Sequence, residues 1–201
     1  MSGVRRRIVG GRTTNRAIFI VCEGAKTEPQ YFNEFKLKSV TVIGTGKNTK
    51  SLVEEAIRLK NDREGFDQYW CVFDRDSFPP QNFNAALTMA ASAGFQVAYS
   101  NEAFEIWYML HFSYSDAALS RTLYGEKLTK CLKRPYKKND PTIFESLLTH
   151  QPRAIQNAHK LLSTYDPHNP EKDNPCTTVH LLVEELNKLR PSAPAPPSPQ
   201  P

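Results

Sequence analysis

Cysteine is scarce and scattered. The 201 residues hold four, Cys22, Cys71, Cys131 and Cys176, with no CxxC pair among them. That spacing argues against a disulfide framework or a zinc site and fits a reducing compartment. Long apolar runs are missing too: none approaches the roughly 18 residues needed to cross a bilayer. The arginine-rich start is not followed by the apolar segment of a signal peptide. A cytoplasmic protein with no membrane partner is expected. A phosphate-cradling Walker A loop is also lacking. Gly44-Thr45-Gly46-Lys47 has neither the spacing nor the Ser/Thr after Lys, which leaves an anion-binding turn or an ordinary connection. No internal repeats are present.

Basic charge is present, and unevenly placed. Lysine and arginine number 26 against 21 acids, a formal charge of +5. Arg5-Arg6-Arg7, Arg12 and Arg16 precede the first apolar run, and Lys127, Lys130, Lys133, Arg134, Lys137 and Lys138 gather later. Such clusters suit a phosphate backbone; a solvated face that keeps the protein soluble is the alternative. Residues 1–15 read as a flexible basic arm and 191–201 as a disordered Pro-rich tail.

Between these ends the pattern changes once. Ala17 to Cys22, Val40 to Ile43, Tyr69 to Asp74 and Phe95 to Tyr99 are short strand-forming runs, and helical periodicity separates them. Thr27 is the expected N-cap of the first helix, running to about Lys38. Four alternations imply a parallel sheet covered on both faces, an α/β core over 16–115. Residues 116–190 read as a helical extension packed on that core. Within it, Leu119–Leu132, Ile143–Leu148, Arg153–Tyr165 and Thr178–Leu189 are expected helices, with Thr177 or Thr178 capping the last.

Three acids fall at comparable places in this plan. Glu23 follows the first strand, and Asp74 and Asp76 follow the third. In an open α/β sheet, groups just past the strand C-termini face the ligand crevice. Clustered carboxylates there repel one another unless a hard cation, Mg2+ or Mn2+, sits between them. Glu105, four residues after Asn101, belongs near the same edge and is a further candidate metal ligand, with a salt bridge or cap as the alternative. Glu28 lies in a first helical turn, where the dipole favours an acid in any case. Lys137 and Lys138, beside Tyr136, are the best candidates to steer a phosphate, and Lys138 to face its transition-state charge. Lys26, Lys47, Arg75, Lys133 and Arg134 complete the candidate nucleic-acid contacts. Trp107 and Tyr108 could stack on bases, but helix-face packing is the favoured reading, and His111 reads as a packed core histidine.

Val21-Cys22-Glu23-Gly24-Ala25-Lys26-Thr27-Glu28-Pro29-Gln30-Tyr31-Phe32, Val72-Phe73-Asp74-Arg75-Asp76 and Ser100-Asn101-Glu102-Ala103-Phe104-Glu105-Ile106-Trp107-Tyr108-Met109-Leu110-His111-Phe112 together resemble the RloB family. That is a Toprim-like group found beside ATPases in bacterial and archaeal defence and restriction loci. The third motif commonly reads Asn-Pro-x-Phe-Glu; here Glu102 stands in place of Pro. The resemblance implies a Toprim-like fold. It also implies a magnesium site held by Asp74 and Asp76, with Glu23 in acid/base chemistry or sharing the metal. Nucleic-acid cleavage in antiphage defence, with a partner ATPase, is the expected function. The alternatives are a non-catalytic nucleic-acid- or partner-binding scaffold, and an enzyme of nucleotide phosphoryl or nucleotidyl transfer.

Overall fold

A computed structural model describes residues 16–75 and 79–190. The expected basic arm, Asp76 and the Pro-rich tail lie outside the described residues. The elements run β1 (Ile18–Cys22), α1 (Thr27–Asn33), β2 (Val40–Gly44), α2 (Thr49–Asn61), β3 (Gln68–Asp74), α3 (Pro80–Ser92) and β4 (Gln96–Asn101). Then follow α4 (Glu105–Leu110), α5 (Arg121–Leu132), α6 (Ile143–Leu148), α7 (Gln151–Leu162), β5 (Cys176–Thr177) and α8 (Val179–Lys188).

The sheet order is β2-β1-β3-β4-β5. β1 sits between β2 and β3, parallel to both, and β4 continues parallel to β3. All five residues of β1 are buried, as a strand covered on both faces requires. One apolar layer joins Ile18, Ile20 and Val72 to α1, α4 and the later helices; the other joins Phe19, Val21 and Phe73 to α2 and α3. Ridges of aromatic rings fill the first layer. Tyr31 alone meets Phe32, Phe104, Trp107, Tyr108 and Phe144 within ring-contact distance.

The C-terminal segment does more than lie on the core. Cys176 and Thr177 pair antiparallel with Asn101 and Ser100, so the sheet is mostly, not wholly, parallel. The capping expectation holds for position: Thr178 is the N-cap residue of α8, but its hydroxyl makes no cap bond and accepts from the Tyr99 N–H at 2.9 Å, while the hydroxyl of the strand residue Thr177 accepts from the Val179 N–H at 3.3 Å. Thr27, by contrast, is not a cap. It is the first residue of α1, and its hydroxyl donates to Asn139 Oδ1 at 2.6 Å. α1 stops at Asn33, short of Lys38, because Lys36 turns into the left-handed region at φ 54°. Elsewhere the core readings hold. Trp107, Tyr108 and His111 are all buried. The His111 ring bonds the Trp107 carbonyl at 2.9 Å, and burial lowers its pKa to about 4.

Candidate functional site

β1 and β3 are neighbours in register, with Cys22 opposite Val72. Their C-terminal ends therefore emerge side by side, carrying Glu23 from one and Asp74 from the other. The chain ties them together: Glu23 N–H donates to the Val72 carbonyl at 2.8 Å, and Glu23 Oε2 accepts the Asp74 backbone N–H at 3.0 Å. β4 ends one strand further on. It delivers Asn101 and, through the turn into α4, the buried Glu105.

Glu28 comes from the first turn of α1 and is also buried. Gly24 makes room for it: a Cβ on Gly24 would stand 1.8 Å from Glu28 Oε2. That same oxygen is buried and has no hydrogen-bond partner among the described residues. Gly44 is held small by the same loop, since its Cβ would fall 2.6 Å from the Gly24 carbonyl oxygen. In the turn that follows, Thr45 bonds the Cys22 carbonyl through its N–H and its hydroxyl, and Gly46 and Lys47 are exposed.

The electrostatics follow from this crowding. Burial pushes the Asp74 carboxyl well above the usual carboxylate range; the charge on Glu28 is the next cause in the same direction, Arg121 opposes, and Glu105 and Glu23 add to the rise. Burial also raises Glu28, with its own backbone N–H and Lys138 holding it back and Glu105 pushing it up. Acids so placed cannot all ionise unless positive charge arrives. Arg121, at the start of α5, supplies some: its Nη2 lies 3.4 Å from Asp74 Oδ2 and 3.4 Å from the Glu102 carbonyl. Tyr136 donates its hydroxyl to Glu105 Oε1 at 3.0 Å.

A cleft of about 260 Å³ opens beside Glu28, between the Gly24–Thr27 loop and Lys138-Asn139. A neighbouring hollow of about 440 Å³ shares Lys138 and Asn139 and is also lined by Arg134 and Lys137. Lys26, Lys133, Lys137 and Lys138 are exposed. Arg134 is engaged within its own loop, ion-paired with Asp140 and bonded to Thr142 Oγ1 at 2.9 Å and Ser146 Oγ at 3.3 Å. Lys47 pairs with Glu55 at 3.2 Å on α2. Arg75 donates its backbone N–H to the Ser100 carbonyl and lies over the Phe83 ring at 5.9 Å.

Of the expected acids, Glu23 and Asp74 are in contact, Glu105 is electrostatically coupled to Asp74, and Asp76 lies outside the described residues. Arg121 and Tyr136 join them without having been candidates. An arginine in a polar stretch and a tyrosine beside lysines carry no sequence signal of their own. The donor set, carboxylate oxygens with one buried and unsatisfied, suits a hard divalent cation. Among the described residues, no three His, Cys, Asp or Glu side chains are gathered around a single metal position.

Fold and site together define an α/β protein with an acidic cluster at the C-terminal edge of a mostly parallel sheet. Within that class the chain belongs to the RloB-like protein family, whose model matches residues 18–186. No curated protein and no solved structure matches it. No helix among the described residues is long and apolar enough to cross a membrane.

Proposed function

We propose that the chain hydrolyses phosphodiester bonds in nucleic acid at the Glu23–Asp74 edge, using Mg2+ or Mn2+ in a Toprim-type site. The observation that carries this reading is the 3.0 Å tie between Glu23 and the Asp74 backbone at adjacent parallel strand ends. Asp74 and Asp76, with Glu23 and Glu105, are the residues that would hold the ion. The cation would polarise the phosphodiester and steady the leaving oxygen. Glu23 would also serve in acid/base work, and Lys138, on the cleft beside Glu28, would face a phosphate's developing charge. Lys26, Lys133 and Lys137 extend a basic surface around the cleft, suited to a phosphate backbone. The defence role and the ATPase partner rest on the resemblance of the three motifs to the RloB family.

The test is incubation of the full chain with single- and double-stranded DNA and with RNA, under Mg2+, Mn2+ or EDTA, beside Asp74→Asn. Cleavage that needs the metal and disappears in the variant is the expected result. Salt-dependent binding without turnover would replace this reading with the non-catalytic scaffold.

A further inference from the structure

The sheet has a second feature, at the margin opposite β5. β2 pairs only with β1 and forms one margin of the sheet. In a parallel ladder, alternate residues direct their backbone groups to opposite sides. The Ser39 carbonyl accepts from the Ile18 N–H, and the Thr45 N–H donates to the Cys22 carbonyl. Ser39, Thr41, Ile43 and Thr45 thus face β1, and Val40, Val42 and Gly44 turn outward. The Val40 N–H is occupied by the Leu37 carbonyl at 3.1 Å. The Val42 N–H and carbonyl have no backbone partner among the described residues.

Edges of this kind are usually blunted by charge, proline or a bulge. Val40–Gly44 contains no charged residue and no proline, and its register with β1 is continuous, so no bulge interrupts it. Beside it runs a groove of about 190 Å³ with apolar walls from Phe32, Leu37, Val40 and Val42 and the exposed Lys36 and Lys38 alongside. An apolar wall next to an open backbone and two lysines describes its occupant.

A second copy fits badly. Antiparallel pairing about Val42 would set Lys38 of one chain opposite Gly46 and beside Lys47 of the other, basic against basic. Residues 1–15 bring Arg5, Arg6, Arg7 and Arg12, again the wrong sign. Residues 191–201 carry prolines throughout, which cannot donate to a ladder. We propose that β2 is a docking edge for an extended, acidic segment of a partner protein. That segment adds a strand outside β2, places apolar side chains beside Val40 and Val42, and sets carboxylates against Lys36 and Lys38. Lys36 already leans on Glu34 at 3.5 Å, but its side chain is 79% exposed, and a pair in that setting is readily exchanged. The proposal stands whether or not the acidic cluster is a nuclease site.

The test titrates the full chain with a labelled peptide of roughly eight residues, long enough for one strand, alternating valine and glutamate. A control carries lysine in place of glutamate, and amide exchange is followed by mass spectrometry. Saturable binding of the acidic peptide, at least about tenfold tighter than the control, with slowed exchange across Val40–Gly44, is expected. Lys36→Glu with Lys38→Glu, changes at exposed positions that leave the core untouched, inverts the preference. No binding, binding without protection of β2, an unchanged preference in the double variant, or a dimer that protects β2 without peptide would each overturn the proposal.

Discussion

Glu23 and Asp74 are joined through one hydrogen bond, the carboxylate at the end of β1 accepting the backbone N–H at the end of β3 at 3.0 Å. The contact fixes where the Asp74 side chain begins, so it couples stability to the geometry of the cluster. Glu23→Gln keeps an acceptor and should hold stability within about 0.5 kcal/mol, while Glu23→Ala removes it and should cost about 1–2 kcal/mol. Both should lose metal-dependent cleavage by roughly 100-fold or more. Urea midpoints measured beside cleavage rates check this; equal destabilisation by Gln and Ala would show that the acceptor is not what matters.

The crowding of Asp74 and Glu28 gives a signed pH effect. Below about pH 4, their ordinary range, folded and unfolded chains are both protonated and no stability is lost. As pH rises from there through the raised folded values, the unfolded chain ionises first and stability falls. Asp74→Asn or Glu28→Gln should therefore raise Tm at neutral pH in EDTA by a few degrees, since about 1 kcal/mol moves a chain of this size by roughly 2–4 °C. Adding Mg2+ should raise Tm of the unmodified protein and leave the Asn variant unmoved. A Tm drop in both variants without metal would contradict the account.

Gly24 offers a way to move Glu28 without altering any acid. A methyl there meets Glu28 Oε2 at 1.8 Å, the mobile tip of a side chain, so Gly24→Ala should displace that carboxylate at a cost of about 1 kcal/mol or less. Gly44→Ala meets backbone oxygen and the Pro29 ring instead, and should cost about 1–3 kcal/mol. If the position of Glu28 matters to the site, Gly24→Ala loses cleavage while keeping its urea midpoint, and Gly44→Ala shows the reverse emphasis. Full activity in Gly24→Ala would remove Glu28 from the reaction.

The sequence made the edge itself legible, because each strand is a short β-rich run and each acid follows at its end. Glu105 was within reach for the same reason, as was the packing of His111, Trp107 and Tyr108. Several features had no local pattern to betray them. β5 is two residues long, too short for a period of two to register. Glu28 sits where any helix welcomes an acid; only its burial and unsatisfied oxygen set it apart. Arg121 reaches Asp74 across 47 residues of chain, and the Thr27 hydroxyl leaves its helix for Asn139, 112 residues away. Long-range partners of this kind are chosen by tertiary geometry, which outweighs local capping preference.

The exposed lysines and the engaged arginine near the cleft should separate in a salt titration. Lys137→Ala and Lys138→Ala should weaken nucleic-acid binding and each shallow the slope of log K against log salt by about 0.7–0.9. Arg134 is bound to Asp140, Thr142 and Ser146, so Arg134→Ala should loosen its loop, seen as faster proteolysis there, with a smaller change in slope. Equal slope changes for all three would place Arg134 on the nucleic acid.

His180, in the first turn of α8, supplies the last expectation. It is fully buried between α7 and α8, and neither ring nitrogen makes a hydrogen bond of normal geometry. The His159 ring lies 4.4 Å away. Burial lowers the His180 pKa to about 4; His159 adds to the depression and Glu184 opposes it. Above about pH 6.5, its unfolded value, the ring is neutral in both states and nothing is lost. As pH falls from there toward 4, only the unfolded chain takes the proton, and stability drops by about 1.4 kcal/mol per pH unit for the ring. His111 behaves alike, and Asp74 and Glu28 act in the opposite direction. Urea midpoints between pH 7 and about 5.5, in an Asp74→Asn, Glu28→Gln background, read the histidines above the range in which the lowered carboxyls of Glu55, Asp140 and Glu185 contribute. His180→Leu should then remove about half of the slope and hold or raise stability at pH 5, because it replaces a buried polar ring by an apolar side chain. An unchanged slope would mean that His180 takes up its proton inside the folded protein and that its neighbours, Glu184 first, accommodate the charge.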